Sequence, residues 1–161
     1  MKKGQLQISF GMIFSIILII ATVAVAFYVI SYFIKLGNNV SCKLYYTDLQ
    51  DRITVAWNGE LSNEVFSESL PSGVSEVCFG YLNQSTRSSS DASVQESLRA
   101  YPSAKSNLFF YPRGSTCNDG NFAYHLTHVK DSAFFCVKVV KGKARVTINK
   151  GTKDALVNLN P

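Results

Sequence analysis

Charged side chains are absent from residues 4 to 34, although lysines flank this stretch on both sides. A segment this long without charge excludes a solvated loop or an ordinary surface helix, which keep polar side chains toward water. At about 1.5 Å rise per residue, residues 10–34 reach about 37 Å, which exceeds a hydrocarbon core of about 30 Å. We therefore expect a membrane-spanning helix over residues 5–36 that tilts, protrudes or packs against partners.

Catalytic signatures are also lacking. The chain has no hydrolase elbow, P-loop, dinucleotide fingerprint or zinc-protease motif, and no C-x2-C spacing. Its two histidines, His125 and His128, are three apart in a predicted strand, so alternation sends them to opposite faces. The sequence therefore predicts no enzyme, no cofactor and no metal site.

The junction before the apolar stretch has a recognisable pattern. Two lysines are followed by Gly4 and then by Gln5, which opens the uncharged run. This pattern resembles the class III signal of archaeal type IV pilins and their relatives. In that family a prepilin peptidase cuts after the glycine on the cytoplasmic side, which implies a leader of residues 1–4 here. Many members carry glutamate at the fifth mature position, where it pairs with a neighbouring N-terminus, but this chain has Ser9.

Two other interpretations of the N-terminus stay open. A secretory signal peptide would use Ala24-Val25-Ala26 as its cleavage site, and a plain signal-anchor helix would need no processing. For an uncleaved helix, Lys2 and Lys3 favour a cytoplasmic N-terminus by the positive-inside bias. We expect a single-pass protein of the cell membrane, with residues 38–161 as an extracytoplasmic domain.

One face of the predicted helix carries small residues. At about 100° per residue, four of them fall within about 60° of one another. Small side chains let helices approach closely in lipid, so this face is a candidate for packing against copies of the chain or other pilin-like subunits. Any membrane helix also carries some small residues, which is the simpler explanation. The four residues are Gly11, Ser15, Thr22 and Ala26.

The remaining residues predict an α+β domain, with an amphipathic helix packed on a mostly antiparallel sheet. Gly37-Asn38-Asn39 is a point where the membrane helix can end, and the second helix closes at Gly59. Apolar residues recur in it every four positions, and the last of them is predicted to anchor the core. They are Tyr45, Leu49, Ile53 and Trp57.

Short runs rich in valine and aromatic residues predict strands, bounded by turn residues. They cover residues 74–82, 107–111, 122–129, 134–140 and 144–149. Lys141-Gly142-Lys143 predicts a tight hairpin between the last two strands. Residues 83–93 are polar and predict an exposed loop, after which Asp91 can cap a short helix over 93–101. The spacing of Glu60, Glu64 and Glu68 predicts a solvated helix face.

All four cysteines lie after the membrane helix. An even count in an exported domain indicates two disulfides, with three connectivities possible, and free thiols as the alternative if the domain faces a reducing cytosol. Asn39-Val40-Ser41 and Asn83-Gln84-Ser85 are glycosylation sequons, with Asn39 and Asn83 as acceptors. The cysteines are Cys42, Cys78, Cys117 and Cys136.

Charge is distributed unevenly over the domain. Residues 130–161 hold seven lysines and arginines against two aspartates, whereas residues 38–129 hold nine acids against six bases. The basic end could meet an acidic neighbouring subunit, anionic lipid or nucleic acid, or its lysines could simply protect a strand edge. Because no basic run is interleaved with aromatics, we expect no nucleic-acid partner.

Two functional classes follow from these patterns. The first is a pilin-like structural subunit that assembles through its N-terminal helix. The second is a solitary binding module that the helix merely tethers to the membrane. Processing after Gly4 and multimers formed through the helix would favour the first class.

Overall fold

The computed structural model describes residues 10–100, 105–113, 117 and 122–161, without the side chains of residues 35, 38 and 39. The chain divides into two units, with the boundary between Leu36 and Gly37. The α+β class, the long N-terminal apolar helix and the antiparallel sheets are confirmed. The elements are α1 (Phe10–Asn58), β1 (Ser62–Ser69), β2 (Glu76–Phe79), α2 (Ser89–Arg99), β3 (Leu108–Tyr111), β4 (Ala123–Tyr124), β5 (Phe135–Lys138), β6 (Lys143–Lys150) and β7 (Asn158–Asn160).

The first part of α1 is the apolar segment, Phe10–Ile34. It has 25 residues and a mean hydropathy of 2.9, and none of it is buried within the protein. By length and composition it is able to cross a membrane, and a signal sequence would meet the same criteria.

The predicted break at Gly37-Asn38-Asn39 is wrong, because α1 runs without interruption to Asn58. A glycine inside a helix costs about 1 kcal/mol relative to alanine, which weakens a helix without ending it. A helix end at Gly37 would favour a positive φ there, but the described glycines with positive φ are Gly80 and Gly142. The predicted end at Gly59 is confirmed, since its N–H donates to the carbonyls of the last turn.

The second half of α1 is amphipathic, as the sequence predicts. Its buried residues are spaced by three or four positions, so they form one stripe against the sheets. Tyr45 packs edge-on against Phe66 of β1 and Phe110 of β3, with ring centroids 5.2 and 5.7 Å apart. The stripe consists of Cys42, Tyr45, Leu49, Ile53 and Ala56.

Trp57 does not anchor the core, contrary to the prediction. Its side chain is 36% exposed. The indole N–H donates to the carbonyl of Ala155 at 3.2 Å, and the ring stacks on His128 with centroids 3.7 Å apart. Ala56 takes the inward position, so the next residue points about 100° away from the core.

The strands form two antiparallel sheets, in the orders β1-β6-β7 and β4-β3-β2-β5. One face of the four-stranded sheet joins the main core with α1 and the three-stranded sheet. Its other face is covered by α2, through Val94 and Leu98 against Phe109 and Phe134. Because β2 and β3 are buried on both faces, they read as continuous apolar runs rather than alternating ones.

Two predicted strands are shorter in the structure, for identifiable reasons. Strand β2 stops at Phe79 because Gly80 adopts a φ of 107°. Strand β4 stops at Tyr124 because the amide of Asn107 takes over the pairing. That amide donates to the carbonyl of Leu126 at 2.9 Å and accepts from its N–H at 2.6 Å.

The predicted hairpin is correct only at its turn. Val140 and Lys143 exchange backbone hydrogen bonds around Lys141 and Gly142, both of which have positive φ. The flanking strands then diverge, because β6 pairs with β1 along its full length whereas β5 pairs with β2.

Three other local predictions are wrong. Glu64 and Glu68 lie on strand β1, not on a helix, and a spacing of four places residues on one face in either structure. Helix α2 begins at Ser89, inside the predicted loop. Its N-cap is Ser88, whose hydroxyl accepts from the N–H of Asp91, while Asp91 itself lies in the first turn. Strand β7 was not predicted, because one buried residue, Leu159, leaves almost no pattern.

Candidate functional site

The described residues offer one cluster with metal-ligand atoms, formed by Glu76, Cys78 and Cys136 within 4.8 Å of one another. The two cysteines are joined in a disulfide, so they have no thiolate to offer a metal. His125 is exposed, and His128 lies against Trp57 rather than beside another ligand. The cluster therefore reduces to a single carboxylate, which does not make a metal site.

Both predicted disulfides are present, with a pairing that the sequence left open. Cys42–Cys117 links α1 to the segment after β3, and Cys78–Cys136 links directly opposed positions of β2 and β5. The backbone N–H of Cys136 also donates to the buried carboxylate of Asp91 at 3.2 Å. The disulfides thus tie together elements that are distant in sequence on both sides of the four-stranded sheet.

The predicted processing site, Gly4-Gln5, lies outside the described residues. The predicted packing residues lie on the exposed apolar segment. The hydroxyl of Ser15 donates to the carbonyl of Gly11 at 2.8 Å, and that of Thr22 donates to the carbonyl of Ile19 at 2.9 Å. Both hydroxyls are therefore satisfied within their own helix. This face offers a neighbour a close approach rather than free polar groups.

A shallow depression marks part of this face. Its lining includes Thr22 and Ala26, two of the four predicted packing residues. Larger aliphatic side chains, such as Val29 and Ile30, line it as well. The lining residues are Ala21, Thr22, Val25, Ala26, Val29 and Ile30.

The two candidate glycosylation acceptors are Asn39 and Asn83. Asn83 is exposed in a turn between β2 and α2, and Ser85 of the same sequon is also exposed. The side chain of Asn39 lies outside the description. Glycosylation at either position stays a prediction.

A cationic surface forms where β5 and β6 separate. We call this surface the basic cleft. The residues that line the basic cleft are Val137, Lys138, Val140, Lys141, Lys143 and Arg145. All four lysine and arginine side chains of this set are exposed, and Val140 is 65% exposed.

The cations of the basic cleft have no ion pair within the described residues, where the single salt bridge joins Arg99 to Glu96. Arg145 and Lys143 lie opposite Ser67 and Ser69 of β1, which are uncharged. Unpaired cations gathered in one place create a local positive potential that attracts anions. The sequence indicated the basic run. It did not show the cleft, which depends on β5 and β6 entering different sheets.

A buried hydroxyl is the other unusual polar group. Tyr45 is 1% exposed, and its hydroxyl has no hydrogen-bond partner among the described residues. Burial raises the pKa of Tyr45 well above its ordinary value, and the negative charge of Glu68 adds to the effect. The phenol therefore stays protonated and neutral, so it functions as a core side chain rather than as an acid or base.

No protein family, no curated protein and no solved structure matches the chain. The resemblance to pilins thus depends on the residues of the N-terminal junction and the apolar helix alone.

Proposed function

We propose that this protein is a single-pass membrane-anchored surface protein, and specifically a pilin-like structural subunit that assembles through its N-terminal helix. The observation that carries the proposal is the apolar segment Phe10–Ile34, which is exposed along its whole length. An apolar surface of this size needs lipid or other helices to cover it.

The proposed topology places the N-terminus in the cytoplasm and residues 38–161 outside. Two disulfides in this domain support an oxidising compartment, where such bonds persist. Lys2 and Lys3 support a cytoplasmic start by the positive-inside bias. Protease added to intact cells should digest the domain. Digestion only after lysis would reverse the topology.

Processing between Gly4 and Gln5 is the part of the proposal that depends on the pilin resemblance. The mass of the purified native protein should correspond to a chain that begins at Gln5. A mass that includes residues 1–4 would contradict pilin-type processing and would indicate an ordinary signal anchor.

Assembly through the helix is tested by enlarging its small residues. Lipid tails are as apolar as leucine, so helix association depends on close van der Waals contact. Gly11→Ile and Ser15→Ile keep the segment hydrophobic, so insertion should be unchanged while any filament or detergent-stable oligomer is lost. Ile17→Leu, on the opposite side of the helix, is the matched control. Normal assembly of the isoleucine variants would contradict the proposal.

The alternative function is a solitary anchored binding module, and the basic cleft is the observation that favours it. A module of this kind would be monomeric in detergent and would keep its intact N-terminus. Size measurement of the parent protein in mild detergent therefore distinguishes the two functions.

A further inference from the structure

The basic cleft lies at the end of the domain where α1 enters it. The position of strand β6 in the three-stranded sheet supports this placement. The ammonium group of Lys150 donates to the carbonyls of Trp57 and Gly59, at the C-terminal end of α1. Strand β6 runs from Lys143 to Lys150, a length of about 23 Å at 3.3 Å per residue. Lys143 therefore lies at the opposite end of the sheet from Trp57.

The strand pairing in the four-stranded sheet independently places the cleft at the same end of the domain. Lys138 of β5 lies opposite Glu76 of β2, and Glu76 lies opposite Tyr111 of β3. The neighbouring residue, Phe110, contacts the ring of Tyr45 in the early part of the amphipathic stripe. Both sides of the cleft are thus near the level of Tyr45.

Little chain separates this end of the domain from the apolar segment. Residues 35–41, seven in number, connect Ile34 with Cys42, the first side chain of the domain that is described as buried. If Phe10–Ile34 is held in a bilayer, so short a connection keeps the Cys42 end of the domain close to the bilayer surface. The distal end, with Trp57, is farther along the chain.

Charge at this end favours an anionic surface. The basic cleft has four cations, and Lys43 on α1 is also exposed. In the strand register, Glu76 lies opposite Lys138 and Glu68 lies opposite Ala144, so the four cations outnumber these two acids. Val140 is exposed between the cations, and a lipid interface accepts such a side chain. Within the described lining no aromatic ring offers a base a stacking platform, so a nucleic acid fits less well.

We propose that the basic cleft binds the phosphate headgroups of anionic lipids in the membrane that holds the apolar segment. This inference rests on the proposed membrane anchoring and adds a second contact to it. Basic residues near an anionic bilayer are attracted over about one Debye length, which is about 10 Å at 0.1 M salt. The contact would orient the domain at the membrane surface.

The experiment measures lysine protection in the full-length protein. The protein is reconstituted in vesicles of phosphatidylcholine alone, or with about 30% phosphatidylglycerol. A membrane-impermeant acetylating reagent then labels lysines, and mass spectrometry gives the rate at each site. We expect Lys138, Lys141 and Lys143 to be labelled at least about three-fold more slowly on the anionic vesicles. Lys153, exposed and outside the cleft, should be unaffected.

Salt and charge reversal supply the controls. Raising the salt to about 1 M shortens the Debye length to about 3 Å and should abolish the protection. Lys143→Glu with Arg145→Glu should also abolish the protection of Lys138 and Lys141. Lys130→Glu with Lys153→Glu makes the same charge change outside the cleft and should leave it intact. Inorganic phosphate with neutral vesicles should not protect, which distinguishes a headgroup surface from a site for the free ion.

The outcomes separate this inference from the anchoring. If the protein floats with neither kind of vesicle, the proposed membrane anchoring is wrong, and so is the headgroup contact that depends on it. If it floats with both and its lysines are labelled equally, only the headgroup contact is wrong. Protection by a DNA duplex but not by anionic vesicles would identify a nucleic-acid site. Protection in neutral vesicles that rises with protein density would identify a second copy as the partner.

Discussion

The two units of the chain differ in how far their large apolar side chains are exposed. Every large apolar side chain from Phe10 to Ile34 is at least 41% exposed, whereas Leu49 and Ile53, on the same helix, are 0% exposed. Hydrophobic composition alone therefore does not reveal which part of α1 stabilises the fold. The domain covers its own apolar surface, and the apolar segment depends on its surroundings for cover.

The largest expected effect comes from making one substitution in both units. Ile53→Ala should lower the free energy of unfolding of the domain by about 2–5 kcal/mol, because it leaves a cavity beneath the sheets. Ile20→Ala, at a position 63% exposed, should change it by less than about 0.5 kcal/mol. Chemical unfolding in detergent, followed by Trp57 fluorescence, measures both. Equal losses would show that the units fold as one.

Removing the disulfides should affect the domain alone. Replacing either pair with alanine should lower the free energy of unfolding by about 2–4 kcal/mol. The two links close loops with sequence separations of 75 and 58 residues. The chain-entropy model therefore gives effects that differ by only about 0.2 kcal/mol.

The helix signal of the apolar segment in detergent should survive both disulfide removals. Circular dichroism of a peptide covering residues 5–36 gives the reference spectrum for this signal. A large difference between the two pairs would contradict the loop-closure explanation, and it would indicate strain or lost packing at one of the links.

Gly80 and Gly37 differ in whether the structure requires a glycine at that position. Gly80 has a φ of 107°, and an added Cβ would lie 3.0 Å from the Cα of Phe134. Gly80→Ala should therefore destabilise the domain by about 1–3 kcal/mol. Gly37 is helical and has nothing within 4 Å of an added Cβ. Gly37→Ala should increase helix stability by about 0.5–1 kcal/mol, and a loss would support a break at the unit boundary after all.

The smallest expected effect concerns the buried phenol of the domain. Tyr45→Phe removes a hydroxyl without a described partner, so the free energy of unfolding at neutral pH should rise by up to about 1 kcal/mol. The pKa of Tyr45 is raised in the folded state, whereas the unfolded phenol has a pKa of about 10. Titration of Tyr45 therefore leaves the stability unchanged below about pH 10 and lowers it as the pH rises further, because the unfolded phenol ionises first.

The pH dependence provides the control for this substitution. Phenylalanine does not titrate, so the variant should lose less stability than the parent above about pH 10. Unfolding curves at neutral and alkaline pH check both expectations. A destabilised variant with the parent's alkaline profile would mean that the hydroxyl has a structural partner.

Local patterns predicted part of this fold well. The stripe from Tyr45 to Ile53 has helical spacing, and an even number of cysteines indicated two disulfides. Patterns that fit two kinds of structure led to wrong predictions. The spacing of Glu64 and Glu68 fits a strand face as well as a helix face.

Features that depend on distant contacts were not predictable. The amide of Asn107 replaces strand pairing at Leu126, and neither residue signals the other in sequence. The disulfide pairing and the basic cleft depend in the same way on which sheet each strand enters. Such choices are made by tertiary packing, which a local window of sequence does not contain.

The link between Cys42 and Cys117 also determines how the protein would respond to mechanical force. Tension applied between the apolar segment and the C-terminus passes from Cys42 through the sulfur atoms to Cys117. While the bond is intact, residues 43–116 form a closed loop that cannot be drawn out between Cys42 and Cys117. About 250 Å of chain, at 3.4 Å per residue, is withheld from extension. Stretching the unfolded domain would therefore extend only the residues outside this loop.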